Sequence, residues 1–136
     1  MRVVVSAHAP DAIGPYVHGI EAAGLLFVSG QLPIRPDTGQ LVVGIEDEVR
    51  QALHNALAVV VDAGSQPTDV VKATLFLTDL AEFPTVNRVY EEVFGGWKPA
   101  RSVVGVQALP RGAHVEVELV AAVYGHEPRL PVRVDA

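Results

Sequence analysis

Only two stretches of this chain repeat their apolar residues at the three- and four-residue spacing of a helix, and nearly every other apolar run alternates. In residues 45–63, Val49, Ala52, Leu53, Ala56, Leu57 and Val60 make one apolar stripe. Glu46, Asp47 and Glu48 crowd its first turn, where the helix dipole favours negative charge, and Gly64 closes it as the residue after the C-cap. Asp79-Leu80-Ala81-Glu82 fits a capping box ahead of the second stripe, Val86, Val89, Tyr90, Val93 and Phe94, which ends at Gly95-Gly96. Strands are expected over residues 2–6, 19–22, 25–30, 69–78, 102–107 and 115–124, with Ala23-Gly24 turning a hairpin between the second and third. Within 69–78, the alternation puts Val71, Ala73, Leu75 and Leu77 on one face and Val70, Lys72, Thr74 and Phe76 on the other. The order, ββ(β)αβαββ, is α+β: a five- to six-stranded mixed sheet with two helices. Two helices of this length cover one face of such a sheet but not both. Yet the last strand is apolar on both sides, with Val115, Val117, Leu119, Ala121 and Val123 on one and Val120 and Ala122 on the other. A sheet face left bare with apolar residues on it predicts an oligomer that covers it.

At 136 residues the chain is expected to form one domain, residues 1–125, followed by a tail, 126–136, with two Pro and no periodicity. It contains no Cys, which excludes disulfides, Cys-ligated zinc, iron–sulfur clusters and a thiolate nucleophile. The longest run free of charged residues, 22–34, falls well short of the ~20 apolar residues of a membrane-spanning helix. The apolar run at the N-terminus is too short for a secretory signal, so a cytoplasmic protein is expected, with no membrane partner. A formal charge of -6 and no basic cluster argue against a nucleic-acid partner.

Chemistry is concentrated near the end of the sequence. Arg101 follows Lys98-Pro99-Ala100 and opens an otherwise apolar strand, where a guanidinium can project into a cleft and hold a carboxylate with two parallel bonds; on spacing alone the favoured reading is a surface residue in a rim ion pair. Glu116 and Glu118 share one side of the last strand, either as carboxyls of raised pKa suited to acid–base work or as a solvated strand face. None of the five His has another three to five residues away, the spacing of helix-borne ligands, so no metal site is expected. His18, just after the Gly14-Pro15-Tyr16 loop, stands near any pocket that loop forms, or is simply a hydrogen-bonded loop residue. Ser29 lies in no Gly-x-Ser-x-Gly elbow, and Gly14, Gly19 and Gly24 match no phosphate loop.

Seven segments stand in a recognisable order: Ala12-Ile13-Gly14-Pro15-Tyr16, Val28-Ser29-Gly30-Gln31, Pro36-Asp37-Thr38-Gly39, residues 69–79, Asn87-Arg88-Val89-Tyr90, Pro99-Ala100-Arg101-Ser102 and Val115-Glu116-Val117-Glu118. Together they resemble the Rid (YjgF-like) family of reactive-intermediate, or imine, deaminases over residues 9–124. That resemblance implies a chorismate-mutase-like α+β fold, two helices on one sheet face, and a homotrimer with clefts between subunits. The implied activity is hydrolysis of 2-imino acids or their enamine tautomers, such as 2-aminoacrylate, 2-iminopropanoate and 2-iminobutanoate, to 2-oxo acids and ammonia, without a cofactor. Carried over by position, Arg101 would hold the substrate carboxylate and Glu116 would orient or activate the attacking water. Tyr16 would wall the pocket, with Ser29 and Asn87 near its rim, and Val103 would contribute its backbone carbonyl. Two positions depart from the family pattern: Val17-His18 stands where Ser-Gln is usual, and Val103 where Cys is frequent. The first alters the pocket loop, so a relative acting on another imine or enamine is an alternative, as are a non-catalytic small-carboxylate binder and, more remotely, an endoribonuclease.

Overall fold

A computed structural model describes residues 1–124, so the tail lies outside the described residues. The strands are β1 (Arg2–Val4), β2 (Gly19–Ala22), β3 (Leu25–Gln31), β4 (Val70–Leu77), β5 (Ala100–Gly105) and β6 (Val115–Ala122), and the helices α1 (Ile45–Asp62) and α2 (Phe83–Phe94). They form one six-stranded sheet in the order β1-β2-β3-β6-β4-β5, parallel only between β4 and β5. Both helices pack on one face of this sheet, the α+β arrangement expected. Val115, Val117, Leu119 and Ala121 of β6 and Ala73, Leu75 and Leu77 of β4 are buried with the stripes of α1 and α2 in one core.

Local chemistry sets the boundaries. Ala23 and Gly24, at φ 53° and 77°, make the two-residue turn that pairs Ala22 with Leu25. After α1 the Gly64 and Ser65 N–H groups donate to the Val61 and Val60 carbonyls, the paired bonds of a Schellman stop. Glu48 does not serve the dipole as expected. It is 1% exposed and accepts from the His114 backbone N–H (3.0 Å), with the His114 ring Nδ1 at 2.8 Å, which ties the first turn of α1 to the start of β6. The expected capping box at Asp79 does not form. Asp79 instead accepts from the Ala81 N–H to cap a 3-10 turn, Leu80–Glu82, and α2 begins afterwards with Pro84 in its first turn. In β4, a register shift against β6 between Val70 and Lys72 reverses the expected start of the strand: Val70 is buried and Val71 exposed. β1 stops at Val4 because Ser6 turns to the loop, and β5 runs Ala100–Gly105, two residues earlier than expected.

Asn55, inside the stripe of α1, is also buried. Its Nδ2 donates to the carbonyls of Leu32 (3.0 Å) and Ile34 (2.8 Å), closing the segment after β3 onto the helix. Asn55→Leu removes both bonds and strips the Ile34 carbonyl of its partner, while the Leu32 carbonyl keeps the Ile34 N–H (2.8 Å), and is expected to lower unfolding stability by about 2 kcal/mol. Urea unfolding at fixed protein concentration checks this.

Among the described residues no helix lies on the other sheet face. One row of paired residues crosses it from Val3 through Ile20, Phe27 and Val120 to Lys72 and Ala100. Val3, Phe27 and Val104 are exposed there. Glu116 and Glu118, opposite Phe76 and Thr74, stand among them.

Candidate functional site

The pairing of β5 decides where Arg101 points. Arg101 lies beside Ala73, whose side chain faces the helices, so the guanidinium is on the helix side of the sheet's outer strand. It sits over two rings of α2, its central carbon 4.8 Å from the Tyr90 centroid and 5.6 Å from that of Phe83. Arg50 and Arg88 are locked into ion pairs with Glu46 and Glu92. Arg101, only partly exposed, makes no hydrogen bond or ion pair among the described residues, so the rim ion pair left open by its sequence position is absent. It opens on a cavity of about 370 Å³ shared with Asn87, Tyr90, Trp97, Lys98 and Pro99. The Trp97 indole is fixed by donating to the Val70 carbonyl (2.8 Å).

Val103 follows on the same face, and its side chain packs against the core. The Val106 N–H donates inward to the Leu77 carbonyl (2.8 Å). Alternation therefore turns the backbone of residues 102 and 104 inward as well, leaving that of Arg101 and Val103 along the free edge of the sheet. Any contribution Val103 makes to a ligand is by its main chain.

Glu116 is on the other face. Its partner Phe76 is three residues from Ala73 and so points away from the helices. Glu116 lies against Gly30: a Cβ at that position would fall 2.1 Å from Glu116 Oε1, so no other residue fits without displacing the carboxyl. The β3–β6 register shifts between Val28 and Gln31, so the strand bulges at Ser29-Gly30 to admit it. Burial pushes the Glu116 pKa up, and the Glu118 charge adds to the rise. Ser29 donates its hydroxyl to the Val17 carbonyl (2.6 Å), fixing the preceding loop on β3. Tyr16 lies at that loop's tip, where its hydroxyl accepts from the Ile13 N–H (3.2 Å), and a narrow cleft runs from it to Gly30 and Gln31.

His18 departs from the expectation that it lines the pocket. It is 3% exposed; Nδ1 accepts from the Ser6 N–H (2.8 Å), which assigns the proton to Nε2, and Nε2 bonds the Pro10 carbonyl (2.7 Å). Both nitrogens are spent on backbone, so His18 pins the loop that carries Tyr16. Among the described residues no group of three or more His, Cys, Asp or Glu is arranged to hold a metal, and no helix is long and apolar enough to cross a membrane.

The candidate residues of one protomer thus fall into two clusters on opposite sides of its sheet: Arg101, Asn87 and Val103 at the outer strand, and Glu116 with Gly30, Ser29 and Tyr16 on the bare face. Sequence reasoning missed Gly30, Phe83, Trp97 and the platform role of Tyr90. Only Gly30, a glycine inside an alternating strand, left a signal there.

The fold defines a class, the YjgF-like α+β domains. The sequence profile of the family described as Endoribonuclease L-PSP matches residues 6–123. A 2-iminobutanoate/2-iminopropanoate deaminase of Escherichia coli (strain K12) is 40% identical over 123 residues, 88% of this chain and 96% of its own length. Among solved structures, E. coli TdcF with bound serine matches with a TM-score of 0.87 and 39% identity, over 90% of this chain and 98% of that one. YyfA of Yersinia pestis, described as of the conserved Rid protein family, matches with a TM-score of 0.87 and 47% identity, over the same shares. The chain belongs to the Rid (YjgF) family.

Proposed function

We propose that this protein hydrolyses 2-imino acids to 2-oxo acids and ammonia, in the cytoplasm, as a homotrimer. The observation that carries the reading is Arg101, a partly buried guanidinium on an aromatic platform with no anion of its own among the described residues. A carboxylate is what its planar fork fits. The deaminase named above supports the reaction type. Because Arg101 and Glu116 sit on opposite faces, neither half-site is complete in one chain. A three-fold arrangement that covers the bare face can set Glu116 and Tyr16 of one subunit against Arg101 of the next.

In such a cleft Arg101 holds the carboxylate and thereby fixes the C=N carbon. Water forms a C–O bond to that carbon while the Glu116 carboxylate takes the water proton and passes it to nitrogen. The same carboxylate then takes the carbinolamine hydroxyl proton and passes it to nitrogen as the C–N bond breaks, which releases ammonia and leaves the 2-oxo acid. Anchoring and proton transfer together contribute several kcal/mol, which suffices for a bond as labile as an imine. The chain's own residues supply every step, with no cofactor or metal.

The test generates imines in situ with an amino acid oxidase or a dehydratase and follows 2-oxo acid and ammonia release. Accelerated release is expected. Binding of 2-oxo acids without acceleration would make the protein a carboxylate binder, and no effect of either kind would remove the reading. Light scattering is expected to give three chains per particle at micromolar concentration; a monomer would leave the half-sites apart and overturn the shared cleft. The matching family's description names an endoribonuclease, but a formal charge of -6 repels a polyanion and disfavours RNA as substrate.

A further inference from the structure

Among the described residues Arg101 is held by rings and by nothing polar. Glu91 borders the same cavity yet makes no ion pair with it. The second observation concerns Tyr90, whose hydroxyl is buried with no hydrogen-bond partner among the described residues. That hydroxyl does nothing visible for the fold, whereas the ring meets the Arg101 cation (4.8 Å) and Phe94 (4.7 Å between centroids). The position uses the ring. An acidic partner at this place would hold the guanidinium by occupying its fork. An aromatic face attracts the cation while leaving the N–H edge open.

We propose that Tyr90, assisted by Phe83, is a positioning residue: its ring fixes the guanidinium of Arg101 so that the fork stays unpaired and turned to the cavity. The proposal rests on Arg101 being the carboxylate anchor. Without the ring, the long side chain samples other rotamers, and each binding event must select the productive one. The effect therefore falls on affinity and KM and leaves kcat near wild type.

The experiment compares wild type, Tyr90→Phe, Tyr90→Leu and Phe83→Leu, with assembly and melting checked first. Each is measured by calorimetric titration with 2-oxobutanoate and by steady-state imine hydrolysis. Tyr90→Leu is expected to weaken 2-oxobutanoate binding and raise KM by about 10-fold, within the range of a partly desolvated cation–ring contact. Tyr90→Phe keeps the ring and should match wild type. Phe83 is itself exposed, so Phe83→Leu leaves the core intact; a loss of about 3-fold is expected from the more distant ring. In an Arg101→Ala background, Tyr90→Leu should cost nothing further in kcat/KM, because the residue acts only through Arg101. Equal losses in both backgrounds, wild-type affinity in both leucine variants, or a Tyr90→Phe loss as large as that of Tyr90→Leu would each overturn the proposal. If wild type itself neither binds 2-oxobutanoate nor hydrolyses imines, the anchor reading fails first, a distinct result.

Discussion

Arg101→Ala is expected to reduce kcat/KM for imine hydrolysis by about 10²–10⁴-fold and to abolish measurable binding of 2-oxo acids. The magnitude comes from losing two charge-assisted hydrogen bonds to one carboxylate, each contributing about 1.5–3 kcal/mol. Binding and rate fall together, since the same contact that retains the substrate also sets its reacting carbon beside the water. Arg101 makes no hydrogen bond or ion pair among the described residues, so the variant should assemble and melt near wild type, and the loss cannot be blamed on unfolding. Arg101→Lys separates charge from shape. It keeps a cation but presents a point where a fork is needed, and should recover only part of the loss. Steady-state assays with imines made in situ, paired with titration by 2-oxobutanoate, read both effects. An Arg101→Ala enzyme with near-normal KM would remove the carboxylate anchor from this position.

The periodicity of the chain carries most of the fold because each element has one apolar face. The stripes of α1 and α2 and the alternation of β6 are direct records of which side is covered. The bare face was legible for the same reason: Val120 and Ala122 are apolar where solvent would favour polar residues. Alternation fails where the backbone breaks it. The bulge beside Val70 exchanges the burial of Val70 and Val71, and a pattern of identical Val residues holds no mark of such a shift. Similarly, the buried Glu48 reads as one more first-turn acid until its bonds to His114 are seen. Arg101 and Glu116 stand out as candidates by their residue types and segments, but the sequence does not place them on opposite faces. That follows from the pairing of β4 with two strands at once, through Ala73 on one side and Phe76 on the other. His18 shows the converse limit. Its position after the Tyr16 loop suggested the pocket, whereas its nitrogens answer to the backbone of Ser6 and Pro10.

Glu116→Gln should separate activity from stability in opposite directions. The amide keeps the shape of the side chain but cannot take the water proton, so turnover is expected to fall by about 10²-fold or more while 2-oxobutanoate still binds. In the wild type, kcat/KM should rise with pH through the raised carboxyl range as the base ionises, and that limb should vanish in the variant. Stability moves the other way. Burial, and then the Glu118 charge, raise the folded pKa of Glu116 above its unfolded value, so the native state binds this proton more tightly than the unfolded chain. Its favourable contribution is complete below the unfolded value of about 4.3 and is lost as pH rises through the folded one. At neutral pH the ionised carboxyl therefore burdens the fold, and Glu116→Gln should melt above wild type at pH 7, with the advantage shrinking toward pH 4. Glu118→Gln is the control. It shares the face, is exposed, and lies two residues, roughly 6–7 Å, along the strand. Removing its charge should leave turnover largely intact while shifting the acid limb of the pH profile to lower pH, because one cause of the raised Glu116 pKa is gone. An inactive Glu118→Gln beside a near-normal Glu116→Gln would transfer the proton-handling role to Glu118 and move the reacting water one register step along β6.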